Sequence, residues 1–185
     1  MKQIAKQFKY RKSGKVNNMK FIFLDINWVL NKSSANITEI VDESMVKMLK
    51  EIVDNTEAEV VLTSEYRSGF MECGLGDIRP LSQPCKYIDS VLKNNDITLY
   101  SKTSPSRDRL GKCAEIKRWL REITLDEHEP DIVESFVILN GEFNGNIELA
   151  NDNILSKGQV IKIEPDEGGL NNKHVEQAIR ILNKE

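Results

Sequence analysis

Lys20-Phe21-Ile22-Phe23-Leu24-Asp25 is a run of four large apolar residues closed by an acid. A strand with one wet face alternates apolar and polar residues; an unbroken apolar run marks a strand buried on both faces, as in a parallel sheet covered by helices. Asp25 then falls at the carboxyl edge of that sheet. Four more short β-rich runs follow, at residues 59–63, 97–100, 135–139 and 159–163. Helical patterns separate them. Residues 42–54 place Val46, Leu49, Ile52 and Val53 on one stripe, and residues 113–123 do the same with Ile116, Trp119, Leu120 and Ile123. A closing helix is read over 171–183, with Asn171 as its cap and Val175, Ala178, Ile179 and Leu182 facing inward. Strands alternating with helices predict an α/β fold: a Rossmann-like three-layer sandwich around a mostly parallel five-stranded sheet.

Composition agrees with a folded domain. Of 185 residues, 39% are hydrophobic and 30% charged, which excludes collagen-like, low-complexity and wholly disordered chains. No apolar run approaches the roughly 20 residues of a membrane span, so no membrane partner is expected. The basic segment before the first strand has no signal-peptide cleavage pattern, and a cytoplasmic location is the expectation. Three cysteines, Cys73, Cys85 and Cys113, are odd in number and lack CxxC spacing, which argues for idle thiols rather than disulfides or zinc. His128 and His174 have no zinc or triad partner near them in sequence.

Residues 1–18 hold six basic residues and no acid, leaving a body with 20 basic and 29 acidic residues, at −9. Such a body repels polyanions overall, so a nucleic-acid contact would have to be local. The plain reading of residues 1–18 is a solvated basic extension ahead of a domain over 19–185, since Met19 directly precedes the first strand.

In sheets of this kind the site forms beyond the carboxyl ends of the strands, where the strand order changes direction. That rule selects Asp25 and Asn27 after the first strand, Thr63, Ser64 and Arg67 after the second, and Asn140 to Glu142 after the fourth. Lys112, at the start of the helix before the fourth strand, can aim its ammonium at the same edge. A carboxylate nucleophile, a hydroxyl, a cation and further oxygen donors make a phosphate-handling set.

These residues resemble the haloacid-dehalogenase-like superfamily of phosphatases, from Met19 onward. Phe21 to Leu24, Asp25, Ile26, Asn27, Trp28, Val29 and Leu30 are similar to its first motif, an apolar strand followed by Asp-x-Asp-Gly-x-Leu. Val60 to Leu62 with Thr63, Ser64 and Arg67 resemble the second, Leu110 to Leu120 with Lys112 the third, and Phe136 to Leu139 with Asn140, Gly141 and Glu142 the acidic fourth. The wording, with Thr-Ser-x-x-Arg and Glu115-Ile116-x-x-Trp119-Leu120, is most similar to compact phosphatase-like domains of RNA-repair proteins. The resemblance implies that Asp25 attacks phosphorus, that Thr63 and Lys112 bind phosphoryl oxygens, and that Mg²⁺ is held by Asp25, the carbonyl of Asn27 and a fourth-motif acid. Ser64, Arg67 and Trp28 fall where substrate would be bound.

The sequence departs from that pattern where catalysis is most demanding. The residue two places after the nucleophile normally shuttles a proton, and Asn27 carries an amide that cannot. Trp28 replaces a small glycine. Asn140 and Gly141 stand where metal-binding aspartates are implied, leaving Glu142 as the carboxylate of that loop, with Glu148 and Asp152 further along. The expectation is therefore a degenerate domain, a pseudophosphatase or very weak phosphatase serving as a binding module, with Mg²⁺ binding weakened or lost. The alternative is an active Mg²⁺-dependent phosphomonoesterase acting through an aspartyl-phosphate. About 35 residues separate the first and second motifs and about 45 the second and third, too few for a large cap domain. An open site suits a large phosphorylated partner, a nucleic-acid end or a protein. Lys102, Arg107, Arg109 and Lys112 offer a basic track beside it, though a solvated loop is the simpler explanation of that stretch. For Arg67, a second phosphate, Glu65 and Glu72 are equal candidates as partner.

Overall fold

Along β1 (Asn18–Leu24) the side chains sort strictly by parity: Ile22 and Leu24 join one buried cluster, and Met19, Phe21 and Phe23 join another. Successive side chains leave opposite faces of a strand, so a run apolar at every position demands a core on both sides. The computed structural model describes residues 18–32, 40–73, 77–105, 111–124, 132–141, 155 and 159–185. Its other strands are β2 (Glu59–Leu62), β3 (Phe70–Cys73), β4 (Asp77–Pro80), β5 (Leu99–Lys102), β6 (Ile132–Asn140) and β7 (Val160–Lys162). Five of them form one sheet in the order β5-β2-β1-β6-β7, with all four pairings parallel. The five strands read from the sequence are these five. β1 begins at Asn18, opposite Ile132, one residue inside the segment set apart as an extension; residues 1–17 lie outside the described set.

The first face of the sheet is covered by α1 (Glu43–Thr56), α2 (Gln83–Asn94) and α4 (Asn172–Asn183), through Val46, Leu49, Ile88, Leu92, Val175 and Ala178 among others. The second is covered by α3 (Gly111–Thr124), whose Trp119 meets Phe21 and Phe23 edge-on at centroid distances of 4.9 and 5.3 Å. Edge-to-face contact aligns the positive rim of one ring with the negative face of another. The indole N–H is satisfied by Ser101 Oγ at 2.9 Å. A hairpin, β3 with β4 antiparallel, and α2 occupy residues 70–94, for which the sequence predicts no element. α2 nevertheless carries ordinary start signals: Ser82 caps it by accepting from Cys85 N, Pro84 sits in its first turn, and Cys85, Ile88, Val91 and Leu92 make its buried stripe. Cys85 and Cys113 are buried and in no disulfide, and the side chain of Cys73 lies outside the described set.

α4 starts as read, with Asn171 Oδ1 accepting from His174 N at 3.3 Å. The reciprocal bond is less usual: Asn171 N donates to His174 Nδ1 at 3.3 Å, while Nε2 faces Glu167 at 3.4 Å. Nδ1 can accept only when unprotonated, so the cap needs the neutral ring. Burial, helped by Lys173, holds the imidazole pKa below its ordinary 6.5 against the opposing pull of Glu167. The unfolded chain therefore takes up a proton near pH 6.5 that the folded chain refuses. His174's contribution is full above that pH and is lost as pH falls towards the folded value, with a slope of up to about 1.4 kcal/mol per unit. Urea titrations between pH 7.5 and 5 are expected to show this decline in the wild type and a shallower one in His174→Gln. Equal slopes would mean the ring titrates alike in both states.

Candidate active site

The hydrogen-bond ladder of the sheet runs one rung past the strands. Asp25 N donates to Leu139 O at 3.0 Å, Thr63 N to Leu24 O at 2.8 Å, Thr103 N to Leu62 O at 3.0 Å and Ile163 N to Asn140 O at 3.0 Å. The residues that follow the apolar runs are thereby held along the carboxyl edge. From β1 the chain builds through β2 and β5 on one side and through β6 and β7 on the other, so the order reverses between β1 and β6. Asp25 and Asn140 stand on the two sides of that crevice, both buried.

Lys112, second residue of α3, reaches into it. Its ammonium donates to Asp25 Oδ2 at 2.6 Å and to Asn140 Oδ1 at 2.5 Å, and both members of the Asp25–Lys112 pair are nine-tenths or more buried. Asp25 Oδ1 accepts from Ile26 N at 2.8 Å. A buried carboxylate is costly without such partners, and charge-assisted bonds offset that cost. Thr63 and Ser64 are fully buried just beyond β2, and neither hydroxyl has a hydrogen-bond partner; the same is true of Thr103 beyond β5. Orphaned buried hydroxyls on the same carboxyl edge as Asp25 are spare donors for an anionic ligand.

Arg67 has a different setting from those the sequence suggested. Its guanidinium meets neither Glu65 nor Glu72. One terminal nitrogen donates to the carbonyls of Thr63 (3.0 Å) and Ser64 (2.9 Å), and the other to both carboxylate oxygens of Glu115 at 2.8 Å. Arg67 thus staples the loop after β2 to α3, 48 residues away in sequence. Both terminal nitrogens bond to the protein, and the buried Nε has no partner.

The turn after Asp25 explains both the glycine implied at position 28 and the consequence of losing it. Trp28 has φ +63°, in the left-handed region where a Cβ crowds the backbone, at a cost of roughly 1–2 kcal/mol for a non-glycine residue. The turn is held by Leu30 N on Ile26 O at 2.9 Å and by Asn31, which accepts from Trp28 N and donates to Ile40 O, each at 2.9 Å. Gly141 lies directly against it. A Cβ built on Gly141 would sit 2.4 Å from both the Asn27 carbonyl oxygen and Trp28 Cβ. The turn backbone and Trp28 Cβ together leave no room for a side chain at 141. Gly141→Ala is expected to destabilise the fold by about 1–3 kcal/mol, the usual range for overpacking against backbone. Calorimetry on the purified variant checks this, and an unchanged midpoint would show that the turn yields freely.

The Asn27 side chain reaches the loop after β2: its Nδ2 donates to Glu65 Oε1 at 2.8 Å. A carboxylate only accepts, so this contact fixes which end of the amide faces Glu65. From the sequence, Glu65 is only a candidate partner for Arg67. The signal available was its place directly after Thr63 and Ser64, at the start of the 3₁₀ turn Glu65–Gly69.

The Mg²⁺ that the motifs imply fits the described donors poorly. Asp25 is the one carboxylate in the crevice among the described residues, one of its oxygens is engaged by Ile26, and the other shares an ammonium with Asn140. The Asn27 carbonyl is packed against Gly141. Among the described residues no three His, Cys, Asp or Glu gather to hold a metal. One carboxylate balanced by one ammonium gives a divalent ion little net charge to bind. Glu142, with Glu148, Asp152, His128, Arg107 and Arg109, lies outside the described residues. Among the described residues no helix is long and apolar enough to cross a membrane.

Residues 21–175 match the family model of the HAD domain in Swiss Army Knife RNA repair proteins, HAD standing for haloacid-dehalogenase-like. No curated protein and no solved structure gives a match.

Proposed function

Because the chain belongs to the HAD domains of Swiss Army Knife RNA repair proteins, we propose that it is a degenerate phosphatase-like domain that binds phosphate monoesters, with nucleic-acid ends as the substrate class, and turns them over very slowly. The observation that carries this reading is the pairing of Lys112 with Asp25 and Asn140 while Asn27 supplies an amide in place of an acid. A phosphoryl group entering the crevice exchanges the Asp25–Lys112 contact for its own contacts with that ammonium and with the Thr63 hydroxyl. Asp25 then lies in line to attack. The loss is on the leaving-group side, where an amide cannot give up a proton, and such a loss commonly costs about 10²–10⁴ in rate. The chain's family supports a nucleic-acid end over a small metabolite, and the net charge of −9 outside residues 1–18 favours recognition of an end over a long backbone track.

The test uses 5′- and 3′-phosphorylated oligonucleotides, their hydroxyl-ended counterparts and an aryl phosphate, with and without Mg²⁺. Phosphorylated ends are expected to bind more tightly than hydroxyl ends, and slow phosphate release is expected to vanish in Asp25→Asn. Equal binding of phosphorylated and hydroxyl ends would sink the proposal.

A further inference from the structure

We infer that Glu65 is the acid–base residue of whatever turnover this site retains, having taken over from the second motif loop the work that position 27 no longer does. The inference rests on the phosphoryl-binding reading above and assigns the missing proton shuttle within it. Three observations converge on Glu65. Its carboxylate stands 2.8 Å from the side chain of Asn27, the position that implies the acid, so it occupies the neighbourhood in which that carboxyl group would work. Its backbone is fixed on a rigid platform: Glu65 opens a 3₁₀ turn whose two preceding carbonyls, Thr63 and Ser64, are both gripped by Arg67, which is anchored in turn on Glu115. And it is exposed, directly after the buried Ser64 at the carboxyl edge of the sheet, with no cation paired to it among the described residues, since Arg67 faces Glu115 and Lys112 faces Asp25.

The division of labour follows from the chemistry of the two side chains. An amide can hold a carboxyl group in place but cannot exchange a proton near neutral pH; a carboxyl group can do both halves of a proton cycle. Asn27 is then the positioning residue and Glu65 the catalytic one. In the first step an oxygen of Asp25 bonds to phosphorus, the bond from phosphorus to the leaving oxygen breaks, and that oxygen takes the proton of the Glu65 carboxyl group. In the second, water attacks phosphorus and gives its proton to the Glu65 carboxylate, and the bond from phosphorus to Asp25 breaks. One water is consumed, an alcohol and inorganic phosphate leave, and both carboxyl groups return to their starting states.

The full chain is assayed for phosphate release from phosphorylated oligonucleotide across pH 4.5–8.5 as wild type, Asp25→Asn, Glu65→Gln and Glu65→Gln with Asn27→Asp. Binding of the same oligonucleotide is measured in parallel. Glu65→Gln is expected to lose about 10²–10³-fold in kcat and to lose the carboxyl limb of the pH profile, while affinity changes far less. Asn27→Asp in that background is expected to recover rate, because it puts a carboxyl group back two places after the nucleophile. If Glu65→Gln matches the wild type in rate and pH profile while Asp25→Asn is dead, Glu65 is not the shuttle and the phosphatase-like reading stands. If the wild type releases no more phosphate than Asp25→Asn, Glu65 has no such role, and the function proposed above is judged by its binding test alone.

Discussion

Glu115→Ala is expected to lower stability by about 3–5 kcal/mol, the usual cost of removing one member of a buried ion pair and leaving its partner uncompensated. Glu115 keeps only 6% of its side chain exposed and Arg67 15%, so the stranded guanidinium has little water to turn to. For a chain of this length each kcal/mol moves the midpoint by about 2–4 °C, which puts the expected fall at roughly 6–20 °C. Arg67→Met combined with Glu115→Leu is expected to recover part of the loss, since no charge is then buried alone. It cannot recover all of it, because the carbonyls of Thr63 and Ser64 lose their donor as well. A double-mutant cycle on these variants gives the coupling directly. Glu115→Ala unfolding within 1 kcal/mol of the wild type would mean that the staple is not what holds the second motif loop on α3.

Lys112→Met is expected to weaken binding of a phosphorylated oligonucleotide by roughly 10- to 100-fold, from the loss of a charge-assisted bond of about 1.5–3 kcal/mol. It should also destabilise the fold, because Asp25 would retain only the Ile26 N–H as partner in a buried setting. These two effects separate cleanly in the double variant. Asp25→Asn with Lys112→Met removes both charges and is expected to regain most of the stability while the binding defect remains. Binding restored along with stability would show that Lys112 acts on the ligand only through the folding of the crevice. Wild-type affinity in the single variant would remove Lys112 from the site altogether.

Much of the fold was legible because burial on both faces writes itself into a strand as an unbroken apolar run. Residues 20–25, 59–63 and 135–139 read that way, and each lies on a strand of the parallel sheet; 159–163, broken by the exposed Lys162, is its edge strand β7. The hairpin and α2 were not read, although Ser82, Pro84 and the stripe from Cys85 to Leu92 carry helix signals. They lie between motifs, where no catalytic spacing points to them. For the site, the strand-end rule placed Asp25, Thr63 and Asn140 on one edge, because a parallel sheet puts the carboxyl ends of all its strands together. Lys112 was legible only through motif resemblance, since a lysine in the first turn of a helix is ordinarily solvated.

Partners across the chain were another matter. Arg67 pairs with Glu115 over 48 residues and Asn27 with Glu65 over 38, and no local pattern encodes either separation. Those pairs depend on the order in which strands lie side by side and on which turn of α3 faces the loop after β2. Trp28 shows the same division in one residue. From the sequence it is a large side chain where the motif implies glycine; the tertiary structure adds that the backbone there is left-handed and that Gly141 presses against it. By itself, then, the sequence determined the layer architecture, the edge on which chemistry gathers and the absence of an acid at position 27, since each follows from residue type and periodicity. Only the tertiary structure decided that Arg67 is a staple, that the Asn27–Trp28 turn leaves position 141 no room for a side chain, and that Glu65 stands beside Asn27. Those are contacts between segments far apart in the chain, and packing alone chooses them.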